Sequence, residues 1–266
     1  MDLSIENVFV VFNYNTPLEV TSLHGISLNV KAHDRITVIG NNANGKTTLL
    51  RMIAGHITPT FGKIFLNKED ITLVPAAERP IAYISSENTE IFQDDLSVIE
   101  NLTLALLKHP SVPSFKKAIT QEKIQQIHDY INRYDFLNIK EVLKHLTGDI
   151  NRAQRCALSL LIAAIKNPLI LLVDNITSGL EPEISNRLII TLQNIVEDQK
   201  LTLLAVMENP KQAFEFFNRG IIVCDGRIAL DVTGDSKQRL DFAKIFDSFD
   251  IIPNIKQFEH KNNDTI

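Results

Sequence analysis

Cysteine is scarce: there are two, Cys156 and Cys224, in 266 residues. Both lie in apolar runs, so they read as reduced core residues rather than as a disulfide or a metal site. Long hydrophobic stretches are also missing. A membrane-crossing helix needs about eighteen or more consecutive apolar residues. The longest runs here, Leu169–Val173 and Leu201–Met207, have the length of strands. The start, Met1-Asp2-Leu3-Ser4-Ile5-Glu6, lacks the basic lead and apolar segment of a secretion signal. These features predict a cytoplasmic protein that meets a membrane only through a partner. Basic excess is absent too: the net charge is −5, which gives no footprint for nucleic acid, and no nucleic-acid partner is expected. Internal repeats and low-complexity tracts do not occur. What remains is an ordinary globular balance, 44% hydrophobic and 22% charged, on a chain long enough for one or two domains with a buried core.

The hydrophobic pattern alternates between strand and helix periods. Leu3–Phe12, His24–Val30 and Arg35–Ile39 read as strands, and Thr47–Ala54 as a helix stopped by Gly55. Lys63–Leu66 and Ile81–Ile84 read as short strands. From about Ser97 to Leu146 the pattern is helical, broken at Pro110 and Pro113. Asn151–Lys166 is a strongly apolar helix. There follow a strand at Leu169–Val173, a helix at Glu183–Asp198, a strand at Leu201–Val206 and a helix at Pro210–Phe217. A hairpin, Ile221–Cys224 with Arg227–Leu230, turns at Asp225-Gly226. The tail after Gly234 is mixed, and Glu259–Ile266 is polar. Strands alternating with helices imply a parallel α/β sheet, with the helical middle inserted between its halves.

Gly40-Asn41-Asn42-Ala43-Asn44-Gly45-Lys46-Thr47 fits the phosphate-binding pattern G-x-x-x-x-G-K-[ST]. Phosphate oxygens need several converging N–H donors, and a loop wound that tightly needs glycines. Lys46 would reach the β- and γ-phosphates, the Thr47 hydroxyl would bind Mg²⁺, and the helix that follows turns its positive end toward the anion. The pattern sits between a predicted strand and a predicted helix, the context it requires. A second piece is Leu169-Ile170-Leu171-Leu172-Val173-Asp174, an apolar strand ending in a carboxylate that can hold Mg²⁺ through water. The alternative for Asp174 is a helix cap.

In order and spacing these pieces, with those quoted next, resemble the nucleotide-binding domain of ABC transporters over nearly the whole chain. Leu3–Val30 looks like the family's antiparallel β-subdomain, with Phe12, or else Tyr14, in the place of the adenine-stacking aromatic. Phe12 is equally readable as a strand core residue. Gly62–Ile64, Asp70-Ile71-Thr72, Pro75 and Arg79-Pro80-Ile81-Ala82-Tyr83 are similar to the connection in importer-type members. Leu96-Ser97-Val98-Ile99-Glu100-Asn101 looks like the lead-in to their helical subdomain, and Ser178-Gly179-Leu180-Glu181-Pro182 like their D-loop. The resemblance implies a P-loop NTPase, RecA-like α/β core sheet with an antiparallel β-subdomain and an inserted α-helical subdomain at about residues 97–150. The nucleotide-binding domain would span 1–234, with a tail at 235–266. It implies ATP and Mg²⁺ held by Phe12, Asn42, Ala43, Asn44, Gly45, Lys46, Thr47 and Thr48, with Thr47, Ser86 and Asp174 on the metal side. It also implies a second nucleotide-binding domain, from a homodimer or heterodimer, closing head to tail on two ATP molecules. A transmembrane permease would then be the partner, and the chain would lie on the inner face of the cell membrane.

Four positions depart from the family pattern. The Q-loop glutamine falls on Ser86, whose short side chain predicts weaker metal coupling. The catalytic glutamate falls on Asn175, which can hold a water but cannot take its proton; such general-base help is worth about two to four decades in rate. The switch histidine falls on Glu208, an anion facing the γ-phosphate unless it turns away or is protonated. Counted back from Pro168 without gaps, the L-S-G-G-Q signature falls on Ile150-Asn151-Arg152-Ala153-Gln154, where Arg152 and Ala153 add bulk. Arg152 either contacts phosphate or is solvated. A shifted register on Leu146-Thr147-Gly148-Asp149 needs an insertion. The expectation is therefore ATP binding with slow hydrolysis. Alternatives are a fully active transport ATPase whose unusual residues rearrange on assembly, and a soluble ABC protein without a permease.

Overall fold

In the computed structural model, residues 2–86, 91–107, 120–134, 136–207 and 216–233 are described. Strands β1 (Asp2–Phe12), β2 (Val20–Lys31), β4 (Phe61–Leu66) and the two-residue β5 (Glu69–Asp70) form an antiparallel sheet in the order β2-β1-β4-β5. A second sheet runs β10-β9-β3-β8-β7-β6, from β3 (Arg35–Ile39), β6 (Ile81–Ser85), β7 (Ile170–Asp174), β8 (Thr202–Val206), β9 (Arg219–Cys224) and β10 (Arg227–Thr233). Its strands are parallel except for β10, which returns on β9 through the turn read at Asp225-Gly226.

The helix α1 (Lys46–Ala54) connects the sheets. Leu49, Leu50, Met52 and Ile53 are fully buried among Val8, Val10, Leu23 and Ile26 of one sheet and Ile36, Val38, Leu172 and Leu204 of the other. Each such side chain contributes roughly 1.5–3 kcal/mol, so α1 is anchored on two sides. On β7 all five residues are buried, as a strand covered on both faces should be. Alternate residues divide between two cores: Ile170 and Leu172 join the α1 side, while Leu171 and Val173 join the side of α4 (Arg152–Lys166) and α5 (Pro182–Asp198).

Among the described residues, the middle holds α2 (Val98–Ala105), α3 (Gln121–Arg133) and 3₁₀ turns at Ile139–Val142 and Thr147–Asp149. Pro110 and Pro113 lie outside the described residues, as do most of Pro210–Phe217, the switch position Glu208 and the tail. Ser97 caps α2 in a reciprocal box with Glu100, and the buried Asn101 donates to Thr147 Oγ1 at 2.9 Å. The Leu96–Asn101 lead-in therefore both starts a helix and ties it to the turn ahead of α4. Cys156 is buried as read; Cys224 closes β9 and is only half-buried.

Arg79 carries a load the sequence did not show. Its guanidinium is buried, with no ion pair among the described residues, and donates to five carbonyls: Val74, Met52, Ile53, Ile71 and Thr72. Two of those end α1, where the helix dipole favours a cation. Burial lowers its pKa from the ordinary arginine value. In Arg79→Met the Met52 and Ile71 carbonyls would keep Gly55 N and Val74 N, while those of Ile53, Val74 and Thr72 would lose this donor, at about 1–3 kcal/mol each where water cannot enter. The expected loss is roughly 3 kcal/mol of unfolding free energy, read by urea denaturation; a midpoint within error of wild type would contradict it.

Candidate functional site

The loop from Gly40 to Thr48 leaves β3 and enters α1, as its pattern requires. It is shaped from outside by two neighbours. A Cβ on Gly40 would come 2.1 Å from the Val223 carbonyl, and one on Gly45 2.7 Å from the Ser22 carbonyl, so both positions need glycine. Asn44 joins the clasp: its Nδ2 donates to Val223 O and its carbonyl accepts from Gly226 N. The β9–β10 turn and the start of β2 therefore form the back wall of the loop.

The front of the loop is a set of donors. Gly45 caps α1 in a left-handed conformation with no side-chain cap. Among the described residues, the backbone amides of Asn42, Ala43, Gly45, Lys46, Thr47 and Thr48 have no acceptor. These are the first-turn donors of a helix, where the macrodipole also favours an anion. Lys46 Nζ donates to Gly40 O and Asn41 O, both at 2.7 Å, leaving the third of an ammonium's donors. Burial lowers its pKa from the ordinary lysine value, and Asp174 nearby works the other way. The two threonines differ. Thr48 Oγ1 accepts from Ser22 at 2.8 Å, whereas the exposed Thr47 has no side-chain hydrogen bond among the described residues. Thr47 is thus the one with an open oxygen.

Asp174 ends β7 as read, 5% exposed. The hydroxyl of Tyr83, itself 7% exposed, donates to its Oδ2 at 3.1 Å and accepts from Arg51 Nε at 3.3 Å. Ser85 pairs in register with Asp174 and is buried. Ser86 follows, its amide donating to Asp174 O at 3.4 Å. Asn175 is left-handed, φ 49°, with its amide bonded to Val206 O and its buried Oδ1 without a partner among the described residues. No group of three or more His, Cys, Asp or Glu residues gathers among the described residues. That suits Mg²⁺, which is bound by one or two carboxylates together with substrate phosphates. The Thr47 hydroxyl and the Asp174 carboxylate, bonded by Tyr83 at Oδ2, are oxygen donors of the kind the ion takes, so the donor set fits it.

Asn151 caps α4. Its Oδ1 accepts from Gln154 N at 2.9 Å, while Gln154 Oε1 accepts from Asn151 N at 3.1 Å. Ile150–Gln154 is therefore the segment at the helix start, and Leu146–Asp149 is a separate turn before it. Arg152 is exposed and its guanidinium lies over Gly179, where a Cβ would touch it at 3.4 Å. Arg155 fixes the junction, donating to Thr147 O and Asp94 Oδ1 above the ring of Phe92. The aromatics separate as well. Tyr14 packs edge-on against Phe61, which pairs with Phe9, whereas Phe12 is 42% exposed with no ring partner among the described residues. The sequence missed Tyr83, Ser22 and the Val223–Gly226 wall. In the sequence Tyr83 shows only as an alternating residue closing Arg79–Tyr83, Val223–Gly226 only as part of a hairpin, and Ser22 not at all.

The ABC transporter family profile matches residues 23–178. The tyrosine transport ATP-binding protein of Clostridioides difficile (strain R20291) is 29% identical over 86% of this chain and 91% of its own length. The thiamine import ATP-binding protein ThiQ of Escherichia coli O157:H7 is 30% identical over 76% of this chain and 82% of its own. Among solved structures, the dimeric cassette MJ0796 bound to ADP and Pi superposes with a TM-score of 0.70 at 18% identity, over 87% of this chain and 98% of that one. The ADP conformation of the cassette MJ1267 gives 0.71 at 20%, over 94% and 98%.

Proposed function

The chain belongs to the ABC transporter ATP-binding family, and from that premise we propose that it binds Mg-ATP, pairs with a second nucleotide-binding domain and drives or regulates a membrane permease, while hydrolysing ATP slowly. The observation that carries the binding half is the row of amides without acceptors at the start of α1, with Lys46 beside it. These are the donors a triphosphate needs, already oriented. Phe12, exposed at the end of β1, is the side chain for the adenine face. Thr47 and Asp174 hold the metal, with Ser86 in a weaker supporting place.

Phosphoryl transfer depends on placing the ions and phosphates and on stabilising charge as it moves. A bound Mg²⁺ would neutralise charge between the β- and γ-phosphates. The chain's own residues then fall short at the water. Asn175 can hold it by its amide but cannot accept its proton. The signature Asn151-Arg152-Ala153-Gln154 keeps a helix N-terminus and a polar cap, yet brings bulk where glycines let the partner's phosphate approach. A homodimer would be impaired at both elements of each composite site. Glu208 would add an anion there.

The names of the relatives, thiamine import and tyrosine transport, favour an importer, in line with the Arg79–Tyr83 and Leu96–Asn101 stretches. No helix among the described residues is long and apolar enough to cross a membrane, so a permease supplies that part. The chain would then sit on the inner face of the membrane, with a domain of residues 1–234 and a tail of 235–266. Calorimetry with Mg-ATP beside a steady-state ATPase assay tests the reading. Expected are a clear heat of association and a turnover below about 1 per second, the low edge of ordinary enzyme rates. Turnover well above that, abolished in Lys46→Ala, would remove the impairment; absence of binding would remove the whole proposal.

A further inference from the structure

Asp174 is a buried carboxylate with one side-chain hydrogen bond among the described residues, from Tyr83. A carboxylate has room for about four such bonds and is costly to bury with few. The single donor therefore governs how the group is turned. Tyr83 is itself held. Its ring is buried in the α1-side core and lies 5.5 Å from the ring of His56, just past the end of α1. Its oxygen also accepts from Arg51 Nε on α1. Burial pushes the phenol's pKa up, so it remains a protonated donor. The same helix that presents the loop donors thus reaches the end of β7 through one hydroxyl.

We propose that Tyr83 is a positioning residue for Asp174: by occupying Oδ2 it reserves Oδ1 for the magnesium shell, and through Arg51 it sets that oxygen's place relative to the loop of α1. The proposal rests on the Mg-ATP reading above and adds a residue to it. Without the hydroxyl the carboxylate is free to rotate and to draw Lys46, whose charge it already influences, away from the phosphates.

The test compares ATP binding by calorimetry with Mg²⁺ and with EDTA, in wild type and Tyr83→Phe, which keeps the ring. In wild type Mg²⁺ strengthens binding. In Tyr83→Phe that enhancement is expected to fall about tenfold, the size of one hydrogen bond to a charged group, while affinity in EDTA stays within about twofold. A merely structural tyrosine would lower thermal stability and leave the ratio alone, as Ile195→Val on α5 should. Binding that responds to Mg²⁺ equally in wild type and Tyr83→Phe overturns the positioning role and leaves the ATP reading standing. No binding by wild type overturns both. Should Tyr83→Phe not fold, Asp174→Asn reads the contact from the other side in protein labelled at the tyrosine ring carbon bearing oxygen. The Tyr83 resonance shifts while that of Tyr134, which donates to Asp198, holds still; an unmoved Tyr83 resonance overturns the proposal.

Discussion

Asn175→Glu is expected to raise ATP turnover by about a hundredfold. General-base catalysis contributes about two to four decades, and glutamate restores a group able to take the water's proton. Two features hold the gain to the lower end. Asn175 sits at φ 49°, a left-handed conformation that asparagine tolerates better than other residues and that costs a longer side chain roughly 1–2 kcal/mol. Arg152 and Ala153 also remain in the partner's signature. The Asn175 backbone is tied on both sides, to Val206 O and Ser178 N at 3.0 Å each, so the turn resists relaxing. Steady-state phosphate release, with Asn175→Glu combined with Lys46→Ala as the blank, reads the effect. A change of less than about threefold would mean that the missing base is not what slows the chain.

Lys46→Ala is expected to weaken ATP binding by about a hundredfold, since a charge-assisted bond to phosphate is worth roughly 1.5–3 kcal/mol and each decade is about 1.4. The ammonium already leans on Gly40 O and Asn41 O, so it is placed over the loop before any anion arrives and little ordering is left to do. The loop itself should survive, because its walls are Val223, Gly226 and Ser22 and not the lysine. Lys46→Gln separates charge from hydrogen bonding and should fall between the two. Burial lowers the lysine's pKa, so affinity should also decline with rising pH sooner than for an exposed lysine. The cationic form binds, and its loss begins below the ordinary lysine range. Calorimetry across pH checks this, and affinity flat through that range in wild type would contradict it.

The parts of the site that read well in the sequence are those built from consecutive residues. Gly40–Thr48 needs its spacing to wrap phosphate, Asp174 must end its strand, and Ser97-Val98-Ile99-Glu100 spells a capping box. The helix start at Asn151 is local in the same way: Asn151 and Gln154 cap each other. What stayed hidden depends on partners far apart in the chain. Ser22 was left outside the second strand because Thr21 and Ser22 are polar, yet that segment backs the loop and takes up Thr48. Tyr83 looked like one more alternating residue, because its role comes from Arg51 and Asp174, which lie 32 and 91 positions away. Leu137 and Asn138 turn left-handed ahead of the 3₁₀ turn at Ile139–Val142, a conformation that asparagine tolerates but that no periodic signal marks. β5, at two residues, is too short for any periodic signal.

The central claim is that this chain holds ATP and seldom splits it. Protein incubated with Mg²⁺ and ATP labelled on both the adenine and the γ-phosphate, then stripped of free nucleotide within seconds, shows directly what the loop retains. The account predicts nucleotide bound in near-stoichiometric amount and still mostly triphosphate after several minutes. Bound label found as diphosphate within the first seconds, or no label bound at all, would contradict it.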